Sequence, residues 1–473
     1  MKRCLEVLEK VLCFLFIFFI PTQLGKHFWP EWSYVMGIRV DYLSPTLYFL
    51  DLIWLGFFVI NTKERVARFF SASWRIRMTK KGKKKKVETR NDRMCLWLVG
   101  LVVVNVLVAK NWQVAVYGWL RVFQWIWVIK LIKGDHVHVE LGSGKRGLGK
   151  FGIKNLLKTV ISGWIVLESV LGLAQVVTGG SIGGIFYWLG ERRFSYLTLG
   201  IAKFSLFREM MIRAYGTFSH PNSMAGFLLV AILLLKETQK SQITNSNFQT
   251  NHKSQISISK LFYWIVFWIG VMGIIVSGSR TVWMIGLLII LINNPIINLK
   301  SKIKISKKEN KVKRFGSFLV VVGVMMILVG LMNGVAGGWD RESFSKRWEL
   351  NKHALEMIRD NPLFGVGLGN FLVELPEYQR QSRVFWLQPV HNIPLLLISE
   401  LGIVGILIFN FQFSIFNKFF NFLISKKRKN RIYKMIFMVI LLTGMVDHYW
   451  VTLPQNWWLV AIILGYYCNQ RKT

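Results

Sequence analysis

MCLWLVGLVVVNVLVAK, residues 94–110, holds one polar side chain between its ends, Asn105. A helix needs roughly 17–25 mostly apolar residues to cross a bilayer, and this run supplies them. The stretch before it, 62–93, carries thirteen Lys and Arg against three acidic residues. Basic loops stay on the cytoplasmic side, so the chain enters this span from inside. Working outward, apolar runs recur at 8–25, 43–61, 112–131, 155–178, 222–236, 261–278, 281–297, 315–335, 392–416, 432–447 and 455–469. Two further segments between runs are basic: 298–314 has eight positive residues and one acid, and 417–431 has six and none. Counting spans returns each basic segment to the same side and leaves both termini cytoplasmic. Loop 336–391, with seven basic and seven acidic residues, has the balance of a translocated segment.

The expectation is an all-α, polytopic integral membrane protein with about 12 transmembrane helices and one longer extracytoplasmic loop. Residues 1–473 read as a single membrane domain, with a basic cytoplasmic loop at 62–93, an extracytoplasmic segment at 179–221 and the long loop at 336–391. Composition agrees: 53% of residues are hydrophobic, 20 are Trp, and the mean hydropathy is +0.38. A net charge of +37 does not imply nucleic acid, because the basic residues cluster in short loops that suit an anionic inner leaflet. Cys4, Cys13, Cys95 and Cys468 fall in spans or at inner ends and form no disulfide framework. The first apolar run follows Met1-Lys2-Arg3 with no small-residue cleavage site before Pro21, so it reads as a retained signal anchor. Trp29, Trp32, Tyr34, Trp112, Tyr449, Trp450, Trp457 and Trp458 fit an interfacial aromatic belt.

Three short polar sequences interrupt the spans: Arg213 to Asn222 (RAYGTFSHPN), Ser277 to Arg280 (SGSR) and His391-Asn392. The topology puts all three on the outer face, each at a helix start, where the backbone presents positive partial charge. Asn222 or Ser223 could cap the first helix and Asn392 the third. Arg213 and Arg280 add permanent charge and can grip phosphate oxygens in bidentate fashion. His391 stands just before a helix start, where a neutral imidazole can accept a proton. Together these groups suit an anionic diphosphate leaving group and an attacking hydroxyl. Blander readings exist for each: Arg280 could snorkel to headgroups, Arg213 could belong to an interfacial amphipathic segment, and His391 could neighbour a cap. His220, before a proline, reads first as a turn residue. Asp447 and His448, at the outer end of a short span, could complete the site.

The run HNIPLLLISELGIVG, with His391, Asn392, Gly402 and Gly405, resembles the signature of the O-antigen ligase superfamily. That superfamily also contains O-antigen polymerases and protein O-oligosaccharyltransferases. Three other fragments are similar to the same family and lie in its order: Gly216-Thr217-Phe218 through Asn222, Ser277-Gly278-Ser279-Arg280, and Asn361-Pro362-Leu363-Phe364-Gly365-Val366-Gly367. The likeness covers about 200 to 410. It implies a metal-independent, inverting membrane glycosyltransferase acting outside the cytoplasm, with no cofactor. The donor it implies is a glycan on undecaprenyl diphosphate, and the acceptor a glycan, lipid or protein. Carried onto this chain, it gives Arg213 and Arg280 to the diphosphate and His391 to acceptor activation, with His220, Asn222, Ser279, Asn392, Asp447 and His448 in support. Within the family, ligase and polymerase stay open. A transporter of lipid-linked glycans is the non-enzymatic alternative, though it should carry polar groups at mid-membrane depth.

Other patterns fail on chemistry. Gly142 to Arg146 (GSGKR) lacks the upstream glycine and the Ser or Thr of a phosphate-binding loop. His136 and His138 have no third ligand nearby, so zinc is not expected. Gly365, Gly367 and Gly369 open no βαβ unit and shape a turn instead. Asp-X-Asp is absent, which argues against a sugar-nucleotide transferase that grips its diphosphate through a metal. In the long loop, 341–359 reads as an amphipathic helix with Phe344, Trp348, Leu355 and Ile358 on its apolar face.

Overall fold

The computed structural model describes residues 2–60, 97–133, 153–206, 209–243, 252–293, 341–380, 386–413 and 431–470. Apolar runs there are helices: α1 (Lys2–Phe18), α2 (Phe49–Ile60), α3 (Trp97–Leu107), α4 (Trp112–Lys133), α5 (Ile153–Thr178), α6 (Pro221–Ile243), α7 (His252–Val276) and α8 (Arg280–Asn293). They continue through α9 (Arg341–Asp360), α10 (Phe371–Tyr378), α11 (Ile393–Phe413), α12 (Arg431–Gly444) and α13 (Pro454–Gln470). Trp112–Ile132, Leu157–Thr178 and Pro221–Thr238 are long and apolar enough to cross a membrane, and several other apolar helices are shorter. The expected span 315–335, the basic loops 62–93 and 298–314, most of 417–431, and the 136–146 segment lie outside the described residues. The expected total of twelve spans therefore reaches beyond the helices described.

The fold is mostly helical but not all-α. Among the described residues three antiparallel two-stranded sheets form: β1 (Gly25–His27) with β4 (Thr46–Tyr48), β2 (Tyr34–Val35) with β3 (Ile38–Arg39), and β5 (Lys203–Leu206) with β6 (Glu209–Ile212). The apolar run expected as helix from residue 43 begins instead at the end of a 3₁₀ turn (Asp41–Leu43) and continues as strand β4. Phe28 N–H bonds the Pro45 carbonyl at 2.9 Å and Phe49 N–H the Leu24 carbonyl at 2.9 Å, so pairing with 25–27 satisfies this backbone before α2 starts.

The described chain divides into two compact units, one of residues 1–140, 345–427 and 444–473, the other of 141–344 and 428–443. In the first, α4 packs along α13, with Trp125 Nε1 donating to the Trp457 carbonyl at 3.2 Å. A separate core lies beneath the long loop, where Leu350, Ala354 and Met357 of α9 meet Phe371, Leu372 and Leu375 of α10. This i, i+4, i+7 stripe, not the one with Phe344, Trp348 and Leu355, is the buried face of α9; those three side chains are exposed. The helix has two apolar stripes, and tertiary packing selects one.

Helix α11 is broken at Gly402 (φ 64°, ψ −179°). The segment Pro362–Gly367 fills the gap. Val366 and Gly367 N–H bond the Ser399 and Glu400 carbonyls at 2.9 and 3.1 Å, while Ile403 and Val404 N–H bond the Pro362 and Leu363 carbonyls at 2.9 and 3.0 Å. Groups that a helix break would orphan are thus paired. A Cβ at residue 402 would run into the Leu363 backbone, so glycine is required for conformation and for space. Asn105, the polar residue within α3, fastens this junction: its Nδ2 donates to the Phe364 and Glu400 carbonyls at 3.1 and 2.9 Å, and its Oδ1 accepts from Trp119 Nε1 and Leu368 N–H at 3.0 and 2.9 Å.

In the second unit α5 packs against α6 and α7. Gly270 and Gly273 let α7 approach Ile165 and Ser169 of α5 closely. The same α5 carries the polar residues that shape the arginine loop.

Candidate functional site

The loop 213–222 is moulded by buried side chains of α5. Gln175 Oε1 accepts the Tyr215 and Gly216 N–H groups at 3.0 and 2.8 Å, and its Nε2 donates to the Gly216 carbonyl at 2.9 Å. The Glu168 carboxylate accepts Thr217 N–H and Oγ1–H, both at 2.8 Å. Gly216 has φ 58°, and a Cβ there would meet that carboxylate. Burial raises the Tyr215 phenol above its ordinary range, and its oxygen accepts Ala202 N–H at 2.8 Å. Sequence reasoning missed Glu168 and Gln175, although polar residues inside an apolar span were the available signal.

Two of the sequence motifs meet here. Arg213 Nε donates to the Ser277 carbonyl at 2.6 Å, its Nη2 donates to Asn222 Oδ1 at 2.5 Å, and Ala214 N–H bonds the Val276 carbonyl at 3.1 Å. RAYGTFSHPN is therefore sewn to the turn that opens α8 at Arg280. That turn is closed by Ser277 Oγ, which donates to the Ile274 carbonyl at 2.6 Å and accepts Ser279 N–H at 3.2 Å. Ser279 is buried and Arg280 half-buried at the first position of α8. The expected cap differs from the observed one. Helix α6 starts at Pro221, and His220 caps it, its Nδ1 accepting Asn222 N–H at 3.2 Å; the Asn222 side chain binds Arg213 instead. Pro221 at the first helical position explains the shift, since it needs no N–H partner.

The other cluster belongs to the first unit. Asn392 caps α11 as expected, accepting Leu395 N–H at 3.0 Å, and its Nδ2 donates to the Met445 carbonyl at 3.1 Å. Arg347 of α9 donates to the next carbonyl, Val446, at 3.1 Å. The turn 445–448 is thereby held beside His391. His391 Nδ1 lies 3.6 Å from Asp447 Oδ1, beyond hydrogen-bond length but within ion-pair range. Asp447 Oδ1 accepts His448 N–H at 2.8 Å, and His448 Nδ1 meets Thr452 Oγ1 at 2.7 Å. The two imidazoles lie 4.9 Å apart by centroid, and Tyr42 packs edge-on to His448 at 5.6 Å. Asp447 and His448 are buried, and His391 is partly open. Among the described residues, His391, Asp447 and His448 bring donor atoms within 4.8 Å of one another and are the set that could hold a metal ion. Tyr42, Thr452 and Arg347 carried no sequence signal.

Residues 265–410 match the family model described as O-antigen ligase. The match supports membership of the O-antigen ligase superfamily. The matched O-antigen ligase region contains Ser277–Arg280, Asn361–Gly367 and His391–Gly405, and it begins after Arg213. Comparison with curated proteins gives no match. The likeness covers less than half of the chain and supports, at a coarse level, a membrane protein of the ligase and polymerase class.

Proposed function

We propose that this protein is a membrane glycosyltransferase that moves a glycan from undecaprenyl diphosphate to an acceptor hydroxyl on the extracytoplasmic face of the cytoplasmic membrane. The observation that carries the reading is the Arg213–Ser277 bond, which joins two distant polar motifs at the start of α8 beside Arg280. In this reading Arg213 and Arg280 hold the diphosphate oxygens, assisted by the positive end of α8. The acceptor oxygen attacks the anomeric carbon, the bond from that carbon to the diphosphate oxygen breaks, and the electron pair leaves with undecaprenyl diphosphate. His391 takes the acceptor proton, and Asp447 stabilises the resulting imidazolium. Single displacement inverts the anomeric centre. Because arginines and a helix start neutralise the leaving group, the reaction runs without a metal cofactor.

The test is transfer by the purified protein from a synthetic undecaprenyl-diphosphate glycan in EDTA, with products analysed by mass. Metal-free transfer that drops about 10²–10⁴-fold in His391→Ala supports the reading. Product mass separates ligation to lipid or protein from addition to another glycan repeat. Unchanged transfer in the variant removes His391 from the chemistry, and lipid movement across vesicles without turnover makes the protein a transporter.

A further inference from the structure

Between α5 and β5 the chain reverses the usual arrangement of polar and apolar groups. Its carboxylate is inside: Glu191 is 3% exposed and accepts Ile182 N–H, Gly183 N–H and Gln175 Nε2–H at 2.8, 2.7 and 2.8 Å. Ser181 and Phe194 bond reciprocally beside it, with Ser181 N–H to the Phe194 carbonyl at 2.9 Å and Phe194 N–H to Ser181 Oγ at 3.2 Å. Its large apolar side chains are outside. Leu199 is 98% exposed, Leu197 86%, Ile185 70% and Trp188 68%. A loop this well hydrogen-bonded is not waiting to collapse on a core, so the apolar groups face a second phase.

Depth identifies that phase. The apolar part of α5, Leu157–Thr178, has 22 residues, which at the helical rise span roughly 33 Å, close to the hydrocarbon thickness of a bilayer. The loop therefore leaves α5 at a membrane interface, and Val177, in the last turn, is 76% exposed. Arg193 lies over the Tyr187 ring at 5.2 Å and Lys203 over Tyr196 at 3.8 Å, placing cations beside interfacial aromatics. We infer that residues 182–203 form an interfacial insertion that buries Ile185, Trp188, Leu197 and Leu199 among the acyl chains and sets Arg193 and Lys203 against anionic lipid headgroups. The inference rests on the membrane reading of α5 and is independent of the proposed chemistry. The insertion also touches the arginine loop: Arg192 Nη1 donates to the Ser219 carbonyl at 3.3 Å.

The experiment uses the full chain with its four native cysteines replaced by serine, a single cysteine at Leu199→Cys and a polarity-sensitive fluorophore on it, in vesicles of phosphatidylcholine and phosphatidylglycerol. Glu209→Cys, an exposed polar position, is the aqueous control. The expected result is quenching at 199 by shallow spin-labelled lipid and protection from iodide, with the reverse at 209. Arg193→Glu should weaken lipid quenching at 199 in the anionic vesicles and not in pure phosphatidylcholine. Iodide quenching at 199 as strong as at 209 overturns the inference and makes the apolar surface a site for a protein partner. Lipid quenching unaffected by Arg193→Glu in both lipids removes the headgroup half of it.

Discussion

Arg213 and Ser277, 64 positions apart in the chain, are joined by a 2.6 Å bond from the guanidinium Nε to the backbone carbonyl. The same guanidinium reaches Asn222 through Nη2, so its two ends tie together three chain segments. A lysine offers one point charge and cannot make both bonds in this geometry. Arg213→Lys should lower glycan transfer at least about tenfold, equivalent to about 1.4 kcal/mol of transition-state stabilisation. Asn222→Asp, which keeps the acceptor, should be milder. Steady-state transfer by the two variants in detergent checks the order, and equal activity in Arg213→Lys and wild type would sink it.

Arg280 begins α8, half-buried at the turn that Arg213 fastens. Arg280→Ala should abolish transfer while leaving membrane insertion intact, and Arg280→Lys should restore only part of it, because an ammonium lacks the guanidinium fork. Insertion is read by protease protection of tagged loops and activity by product mass. Full activity in Arg280→Ala would return this residue to the snorkelling role.

Gly402 is the point where one substitution should unfold a junction. Its φ of 64° with ψ of −179° lies in a region essentially restricted to glycine, costing about 1–3 kcal/mol for another residue before any clash. Gly402→Ala should lower the thermal midpoint markedly, whereas alanine at the open helical position Gly163 should be neutral or stabilising. Scanning fluorimetry of purified protein distinguishes them.

The described helices followed from hydrophobic run length, a signal that is local and strong. The finer structure depended on contacts between distant residues. The run 43–61 reads as one span, yet pairing with 25–27 makes its residues 46–48 a strand. The stripe Leu350, Ala354, Met357 is no more apolar than its rival on α9, and only α10 decides between them. Asn222 was legible as a polar residue at a helix start, but its partner turned out to be Arg213, while His220 took the cap. Asp447 and His448 were visible as ionisable residues at a span end; that Asn392 and Arg347 hold their turn beside His391 was not.

On the long loop, Lys110 pairs with Glu377 and lies 3.9 Å from Glu374. The bond to Lys110 lowers the Glu377 carboxyl below its usual range, while burial raises that of Glu374. A depressed carboxylate stabilises the fold above its unfolded value and loses that contribution as pH falls through the folded value. Glu377→Gln should therefore reduce amide protection of α10 at pH near neutral and make no difference once pH is well below the carboxylate range. Glu374 acts oppositely: its raised value means that protonation on acidification relieves a buried charge. Hydrogen exchange across 371–380 at several pH values, with and without added salt, reads both effects, and a Glu377→Gln difference that persists in acid would exclude the ion pair as its cause.

His391 and Asp447 approach to 3.6 Å, close enough for charge to matter before a hydrogen bond forms. Asp447→Asn preserves an oxygen for the His448 amide and removes the charge, so it isolates electrostatics from architecture. If His391 takes a proton during transfer, that variant should lose kcat with KM nearly unchanged, because the charge that stabilises the developing imidazolium is gone. Thr452→Val, which deletes the His448 contact, should affect kcat far less. A matching loss of kcat and thermal stability in Asp447→Asn would assign the carboxylate to holding the turn 445–448 rather than to the chemistry of His391.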